Sequence, residues 1–317
     1  MAITLAQLRT FLAVEHTGSI KGAAAELMVT QPSVSAGLSA LEKEVGVRLV
    51  ERRGRGIELN AAGGVFVPYA SRVLGILEEG RAAAQEAVDP ERQELKIAAV
   101  NTAGEYIIPP VLRAFRRRHP RIDIQLEVSN RARVLRRIEL READVGIGGS
   151  PPENGEIEGV PFLDNEHVVI LSPEDALASR RGLSFEDLED VAWLLREEGS
   201  GTRIFTQELL SDKGIKPSAM TIGSNGAIKQ CVRTGLGISL QSRQAVTLEL
   251  ATGMLKEADL ADEIPPRKWF ALYPKNGARR SVVQTFLQFL METEAREAIA
   301  ESLVISVEWQ SLRPSGL

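Results

Sequence analysis

Thr30-Gln31-Pro32-Ser33-Val34-Ser35-Ala36-Gly37-Leu38-Ser39-Ala40-Leu41-Glu42 reads as a helix opened by Thr30 or Gln31, with Pro32 in its first turn. A proline there costs little, because first-turn N–H groups have no partner within the helix. Val34, Leu38, Leu41 and Val45 recur on one buried face and leave Ser33, Ser35, Ala36 and Ser39 on the others. Upstream, Thr4 and Gln7 have the spacing of a capping box, and Leu5, Leu8, Leu12 and Val14 continue a helix to Gly18. Ser19 then caps a second helix, Ile20 to Met28, whose Ala23-Ala24-Ala25 run lets a neighbouring helix approach closely. Two short helices joined by a short turn, the second with small polar side chains at its start, describe a helix-turn-helix. Downstream, Gly46 to Leu59 contains Glu51-Arg52-Arg53-Gly54-Arg55-Gly56 and is expected to fold as a two-stranded wing.

Short hydroxyls at a helix start bring its backbone close to phosphates, and a glutamine can pair with adenine in the major groove. The pattern therefore makes Gln31 and the hydroxyls of Ser33, Ser35 and Ser39 candidates to face double-stranded DNA, with Arg52, Arg53 and Arg55 beside the backbone or minor groove. From these residues alone, a helical subdomain with merely solvated charges stands as the alternative.

The whole chain has 317 residues, 44% hydrophobic and 26% charged, with a net charge of −5. These are ordinary globular values for two or three units; they argue against disorder and against a protein that coats nucleic acid without sequence preference. A single cysteine, Cys231, excludes an internal disulfide and suits a reducing compartment. The start, Met1-Ala2-Ile3-Thr4, shows no charged segment leading an apolar run, and no apolar window approaches a membrane span, so a cytoplasmic protein is expected.

Asn60 is placed to cap a long helical stripe through Phe66, Tyr69, Val73, Leu77 and Ala84. Such a helix, about 40 Å at 1.5 Å per residue, is too long for so small a head to cover. A second copy is the simplest partner; lying on the following domain is the alternative. From Glu94 onward short apolar runs alternate with helical stretches. Strands are expected at Leu95 to Val100, Ile122 to Val128, Asp144 to Ile147, Val168 to Leu171, Ala192 to Leu195, Met220 to Ile222, Gly237 to Leu240 and Lys268 to Tyr273. Helices are expected at Tyr106 to His119, Val134 to Arg141, Thr202 to Lys213, Ala227 to Thr234 and Ser281 to Glu292. The first series, Leu95 to Ile147, reads as a parallel α/β unit, and the second follows it. Ligands of such sheets sit beyond the strands' carboxyl ends, where helix starts present free N–H groups. Three segments supply those donors: Asn101-Thr102-Ala103, Glu198-Gly199-Ser200-Gly201-Thr202-Arg203 and Gly223-Ser224-Asn225-Gly226. Donors with one guanidinium suit a small anion carrying carboxylate, phosphate or sulfate, although serine and glycine at helix starts are often plain caps.

The order Gln7-Leu8-Arg9-Thr10-Phe11, Gly18-Ser19, Ala23-Ala24, Thr30 to Ser35, Leu41-Glu42, Gly46-Val47-Arg48-Leu49, Arg52 and Leu59-Asn60-Ala61-Ala62-Gly63 resembles the winged helix-turn-helix of LysR-type transcriptional regulators. The likeness extends over nearly the whole chain. It implies an α/β protein with an N-terminal winged helix-turn-helix at 1–59, a dimerising linker helix at 60–90 and a two-lobed, periplasmic-binding-protein-like effector domain at 91–317. Lobe I would comprise 91–163 and 268–317, and lobe II 164–267, with crossings near Phe162–Glu166 and Pro265–Trp269. The implied partners are promoter DNA, a small anionic metabolite and further copies in a homodimer or homotetramer. Gln31, Pro32, Ser33, Ser35 and Arg52 match DNA-facing positions, and Thr102, Ser129 and Asn130 match cleft positions. Ala36 and Gly37 stand where relatives carry longer side chains, which shifts the expected reading toward phosphate contacts and DNA shape. Arg196 to Arg203, Gly235-Leu236-Gly237-Ile238-Ser239 and Pro266-Arg267-Lys268-Trp269 resemble the branch that includes regulators of carbon fixation and sulfur assimilation.

His16, His119 and His167 stand far apart and match no metal-binding spacing, so neither metal nor cofactor is expected. Ser200 is not in a nucleophile elbow, which disfavours catalysis. The arginines at 113, 116–118, 121, 131, 133, 136 and 137 are read as a solvated face or as charge partners between lobes or subunits. A small-molecule carrier or enzyme on the same fold is the competing function.

Overall fold

The computed structural model describes residues 2–54, 56–89, 93–153, 155–276 and 279–311, with side chains to residue 302. The chain divides into two compact units, 1–88 with 139–142 and 89–138 with 143–317.

The first unit contains α1 (Leu5–Thr17), α2 (Ile20–Glu26), α3 (Gln31–Val45), β1 (Val50–Arg53), β2 (Gly56–Leu59) and α4 (Ala61–Val88). Each start has the cap its sequence offers. Thr4 and Gln7 form the reciprocal capping box, Ser19 accepts from the Gly22 N–H, and Thr30 accepts from the Ser33 N–H. Asn60 binds both sides of the α4 start, donating to the Arg48 carbonyl at 2.8 Å and accepting from the Gly63 N–H at 2.9 Å. β1 and β2 pair antiparallel as the wing. Glu42 of α3 ties that wing down by accepting from the Leu49 N–H at 2.8 Å. The core is built on Phe11, Val34, Leu38, Leu41 and Leu49, all buried.

The second unit begins with β3 (Gln93–Val100), a π-helical turn at Ala103–Ile107, α5 (Ile108–Arg118), β4 (Ile122–Ser129), α6 (Arg131–Glu139), β5 (Val145–Gly148) and β6 (Ile157–Asn165). Lobe II follows: β7 (His167–Leu171), β8 (Trp193–Leu195), α7 (Gly201–Asp212), β9 (Ala219–Thr221), α8 (Asn225–Arg233), β10 (Ser239–Ser242), α9 (Arg243–Ala251) and β11 (Lys256–Glu257). The chain returns to lobe I through β12 (Arg267–Pro274), α10 (Ser281–Met291) and α11 (Thr293–Ser311). Lobe I is a five-stranded sheet in the order β4-β3-β5-β12-β6. Phe115, Phe286 and Phe289 pack edge to face beside it, with centroids 5.1 and 5.3 Å from Phe115.

The parallel expectation for the first series holds, since β3 runs parallel to β4 and β5. The later strands differ: β12 is antiparallel to β5 and β6, and β7 is antiparallel to β10 and β11. A return strand that enters from the other lobe arrives at the opposite end of the sheet, which sets its direction. β6 and α9 have no counterpart in the sequence reading. β6 contains Gly159 and Pro161, which demote a strand pattern, yet its edge position leaves no ladder bond for the proline to break. The helix expected at Val134 to Arg141 instead begins at Arg131, capped by Asn130, whose Oδ1 accepts from the Arg133 N–H at 3.0 Å.

Gly63 fixes where α4 meets the wing: a Cβ there would lie 2.0 Å from the Leu49 carbonyl oxygen. Gly63→Ala is expected to destabilise the head by about 1–3 kcal/mol, as overpacking does. Urea unfolding checks this; an unchanged midpoint would remove the close approach from the account.

Candidate functional site

The DNA-facing candidates lie on the first unit. Gln31, Pro32, Ser33, Ser35 and Ser39 are all exposed at the start and along one side of α3, while Val34 and Leu38 point into the core. The Ser33 hydroxyl lies 2.8 Å from that of Thr30, so the cap and the polar face are one local device. Arg52 and Arg53 are exposed on the wing. Arg53 donates to Glu58 at 2.8 Å, and that hydrogen bond raises its pKa above the usual arginine value. Arg55 lies outside the described residues.

The second site is a cleft between the lobes of the second unit. It encloses about 40 Å³ in this conformation, room for a few water-sized groups. Six expected residues line it: Asn101, Thr102, Asn130, Ser200, Gly201 and Thr202. They arrive from the carboxyl ends of β3 and β4 and from the N-terminus of α7. Gly199, with φ of +80°, lets the α7 approach pass close to Ala132 and Asn130. Ser200 occupies the N-cap position of α7, yet its hydroxyl makes no cap hydrogen bond, so the side chain and the first N–H groups of the helix remain available.

Four expected residues do not line the cleft. Ser224 is a plain cap, accepting from the Ala227 N–H at 3.2 Å. Arg203 turns away to donate to the Arg196 carbonyl at 2.8 Å and to the Thr221 hydroxyl at 2.9 Å, so it braces the loop after β8. Ser129 ends β4 with its hydroxyl buried and unbonded. Asn225 lies behind the wall, donating to the Thr102 hydroxyl at 3.1 Å and accepting from Arg196. Arg196 in turn pairs with Glu197 at 2.8 Å. In the amide orientation its neighbours require, Asn101 accepts from Arg196 at 2.6 Å and donates to the Ser129 carbonyl at 3.1 Å. A hydrogen-bonded chain thus runs from one lobe to the other through two asparagines, one arginine and one threonine.

The sequence reading missed Arg131, Arg196, Arg267, His167, Asn165, Trp269 and Gly149, which also line the cleft. Arg131 corrects the solvated reading of the arginine run at that position, whereas Arg117 stays exposed and meets Glu294 of its own lobe at 3.5 Å. Arg131 donates to the Ser150 carbonyl at 2.6 Å, but its Nη1 is buried without an acceptor, as is the indole N–H of Trp269. Arg267 stacks over the Phe205 ring at 4.6 Å. Burial lowers the pKa of both guanidiniums; the neighbouring Arg131 lowers that of Arg267 further, and Glu208 opposes both shifts. An arginine cannot shed its proton in a protein, so the cleft retains these charges. His167, T-shaped against Phe205, is pushed down to about 4 by burial and by Arg267, against a raising hydrogen bond to the Asn165 carbonyl.

The family model described as a bacterial regulatory helix-turn-helix protein of the lysR family matches residues 5–64. The LysR substrate binding domain matches residues 89–295. The chain belongs to the LysR family of DNA-binding transcriptional regulators. It is 35% identical to the HTH-type transcriptional activator CmpR of Synechocystis over 94% of this chain and 98% of that one. It is 34% identical to a RuBisCO operon transcriptional regulator of Allochromatium vinosum, over 93% and 98%. The regulatory domain of CcmR from Synechocystis PCC6803, solved in complex with 2-PG, superposes with a TM-score of 0.60 at 34% identity, covering 62% of this chain and 95% of that one. These relatives are regulators rather than enzymes. No helix among the described residues is long and apolar enough to cross a membrane.

The two classes of exposed polar group on the head have separable effects. Gln31→Ala should relax base preference, whereas Arg52→Ala should weaken specific and random DNA alike and lower the salt dependence of binding. Gel shifts on both DNAs check this; equal losses for the two variants would contradict the division.

Proposed function

We propose that this cytoplasmic regulator senses a small metabolite bearing a doubly charged anionic group, captured between its lobes. The observation that carries the reading is the pair Arg131 and Arg267, which form no ion pair among the described residues while lining one cleft. Like charges in a poorly solvated space repel strongly, and a dianion would neutralise them. It would also meet the Ser200 hydroxyl, the α7 N-terminus and the unfilled donors on Arg131 and Trp269. The 2-PG complex of the CcmR regulatory domain supports an effector at this level of the fold.

The head would bind promoter DNA as paired copies. α4 leaves Val65, Tyr69, Val73, Ile76 and Leu77 exposed at helical spacing, a stripe suited to a second copy of the same helix. The anion would act by preferring one arrangement of the lobes over another, since a ligand shifts an equilibrium only through its differential affinity.

Thermal unfolding of the full chain tests the site. Sulfate, phosphate or 2-PG should raise the melting temperature beyond chloride at equal ionic strength, by mass action on the folded state. Arg131→Ala and Arg267→Ala should each weaken the anion by about tenfold or more, the scale of one lost charge-assisted hydrogen bond. Equal shifts in chloride and sulfate, or variants that respond like the parent chain, would refute the cleft as the sensing site. A gel shift on the DNA upstream of its own gene, with and without 2-PG, tests the regulatory role; indifference of the bound pattern to every anion would contradict it.

A further inference from the structure

His167 opens β7, where the chain passes from lobe I into lobe II, and it lines the same cleft as Arg267 and Asn165. Its Nδ1 lies 3.0 Å from the Asn165 carbonyl oxygen. A carbonyl only accepts, so Nδ1 carries the hydrogen and, in the neutral ring, Nε2 presents a lone pair. No hydrogen bond engages Nε2 among the described residues. The ring therefore carries an unengaged acceptor on a residue lining a cleft that also presents donors on Arg131, Arg267, Ser200 and Trp269. An incoming anion oxygen would face that lone pair and be repelled by it.

We propose that capture of an anion in this cleft is accompanied by uptake of one proton on Nε2 of His167, which turns the ring from a repelling acceptor into a further donor to the ligand. This rests on the anion-binding reading of the cleft. The proton comes from solvent: one N–H bond forms and no bond of the ligand breaks. The ring is neutral in the empty cleft because burial and Arg267 hold its pKa down to about 4. The charged groups around it act in opposite directions. Arg267 on β12 disfavours the imidazolium, Arg131 on α6 lines the same cleft, and Arg196 is already paired with Glu197. Glu208 on α7 acts on both cleft arginines. On the far side of the same wall, Asp164, Glu166, Glu257 and Asp262 line a second hollow that His167 also borders. Glu166 and Glu257 are taken by Arg243, and Asp262 by Lys213. A dianion beside the ring would offset Arg267 and make the imidazolium favourable.

The sign follows from linkage. If the bound ring has the higher pKa, the added affinity is complete only below the free value near 4. It declines by up to about tenfold per unit as pH rises toward the bound value, and is gone above it. Sulfate is the suitable probe because it carries no proton of its own near neutrality. Calorimetric titration of the full chain with sulfate at about pH 6, in two buffers of unlike ionisation enthalpy, should show heats that differ by up to one proton per anion. The affinity should weaken with rising pH. His167→Gln should remove both the buffer-dependent heat and the slope. Should that variant fold poorly, the three histidine ring signals of the parent chain, His16, His119 and His167, serve instead: sulfate should move one of them to the imidazolium position.

Arginine-dependent sulfate binding without proton uptake, or a His167→Gln slope equal to that of the parent chain, would overturn this inference and leave the anion site standing. Three unchanged histidine signals under saturating sulfate would do the same. Absence of sulfate binding, or binding that Arg131→Ala and Arg267→Ala leave untouched, would overturn the anion site and this inference together.

Discussion

Two guanidiniums share a cleft in which no carboxylate among the described residues lies at ion-pair distance from either. Arg131 reaches it from the start of α6 and Arg267 from the start of β12, and Glu208 opposes the pKa shifts of both. Neither can lower its charge by releasing a proton, so the repulsion persists until something anionic arrives. The fold around them supplies what an anion needs: an uncapped helix start at Ser200, an indole N–H without an acceptor, and a backbone at Gly199 that admits close approach. A sequence that leaves such groups unsatisfied gives up stability there, as proteins do at functional sites, and this is what the proposed anion site would use.

The lobes meet around that cleft through groups that are fully engaged. Arg196 contacts Glu197, Asn225 and Asn101, and Asn225 reaches Thr102 across the gap. These residues join the lobes, whereas Arg131 and Ser200 keep unused donors in the cleft. The proposed anion site would thus be separate from the contacts that hold the lobes together. The head is organised on another principle. Its caps at Thr4, Ser19, Thr30 and Asn60 are local side-chain bonds, and Glu42 anchors the wing, so the polar face of α3 is presented by short-range geometry.

That difference explains what could be read from sequence. Caps, helix faces and the wing depend on neighbours within a few residues, so α1 to α3 and the wing were legible with their caps. The donors at the ends of β3 and at the start of α7 were also legible, because strand ends and Gly-Ser helix starts mark themselves. Arg131 was not, since a run of arginines looks the same whether one of them turns inward or all face water; only the start of α6 beside Ser150 decides it. His167, Asn165 and Arg267 were missed for a related reason: they come together only where the chain crosses between lobes twice. Ser224 and Arg203 fit the donor pattern but are consumed by a cap and a loop brace, which composition cannot distinguish from ligand contacts. β6 stayed hidden because Pro161 argues against a strand unless the strand lies at an edge.

The most direct measurement is anomalous diffraction from crystals grown with selenate as a heavy dianion in place of sulfate. One dominant selenium peak is expected about 4 Å from donors on Arg131, Arg267 and Ser200, the separation at which selenate oxygens hydrogen-bond to them. A cleft holding only water, with selenium confined to the exposed arginines of α5, would contradict it.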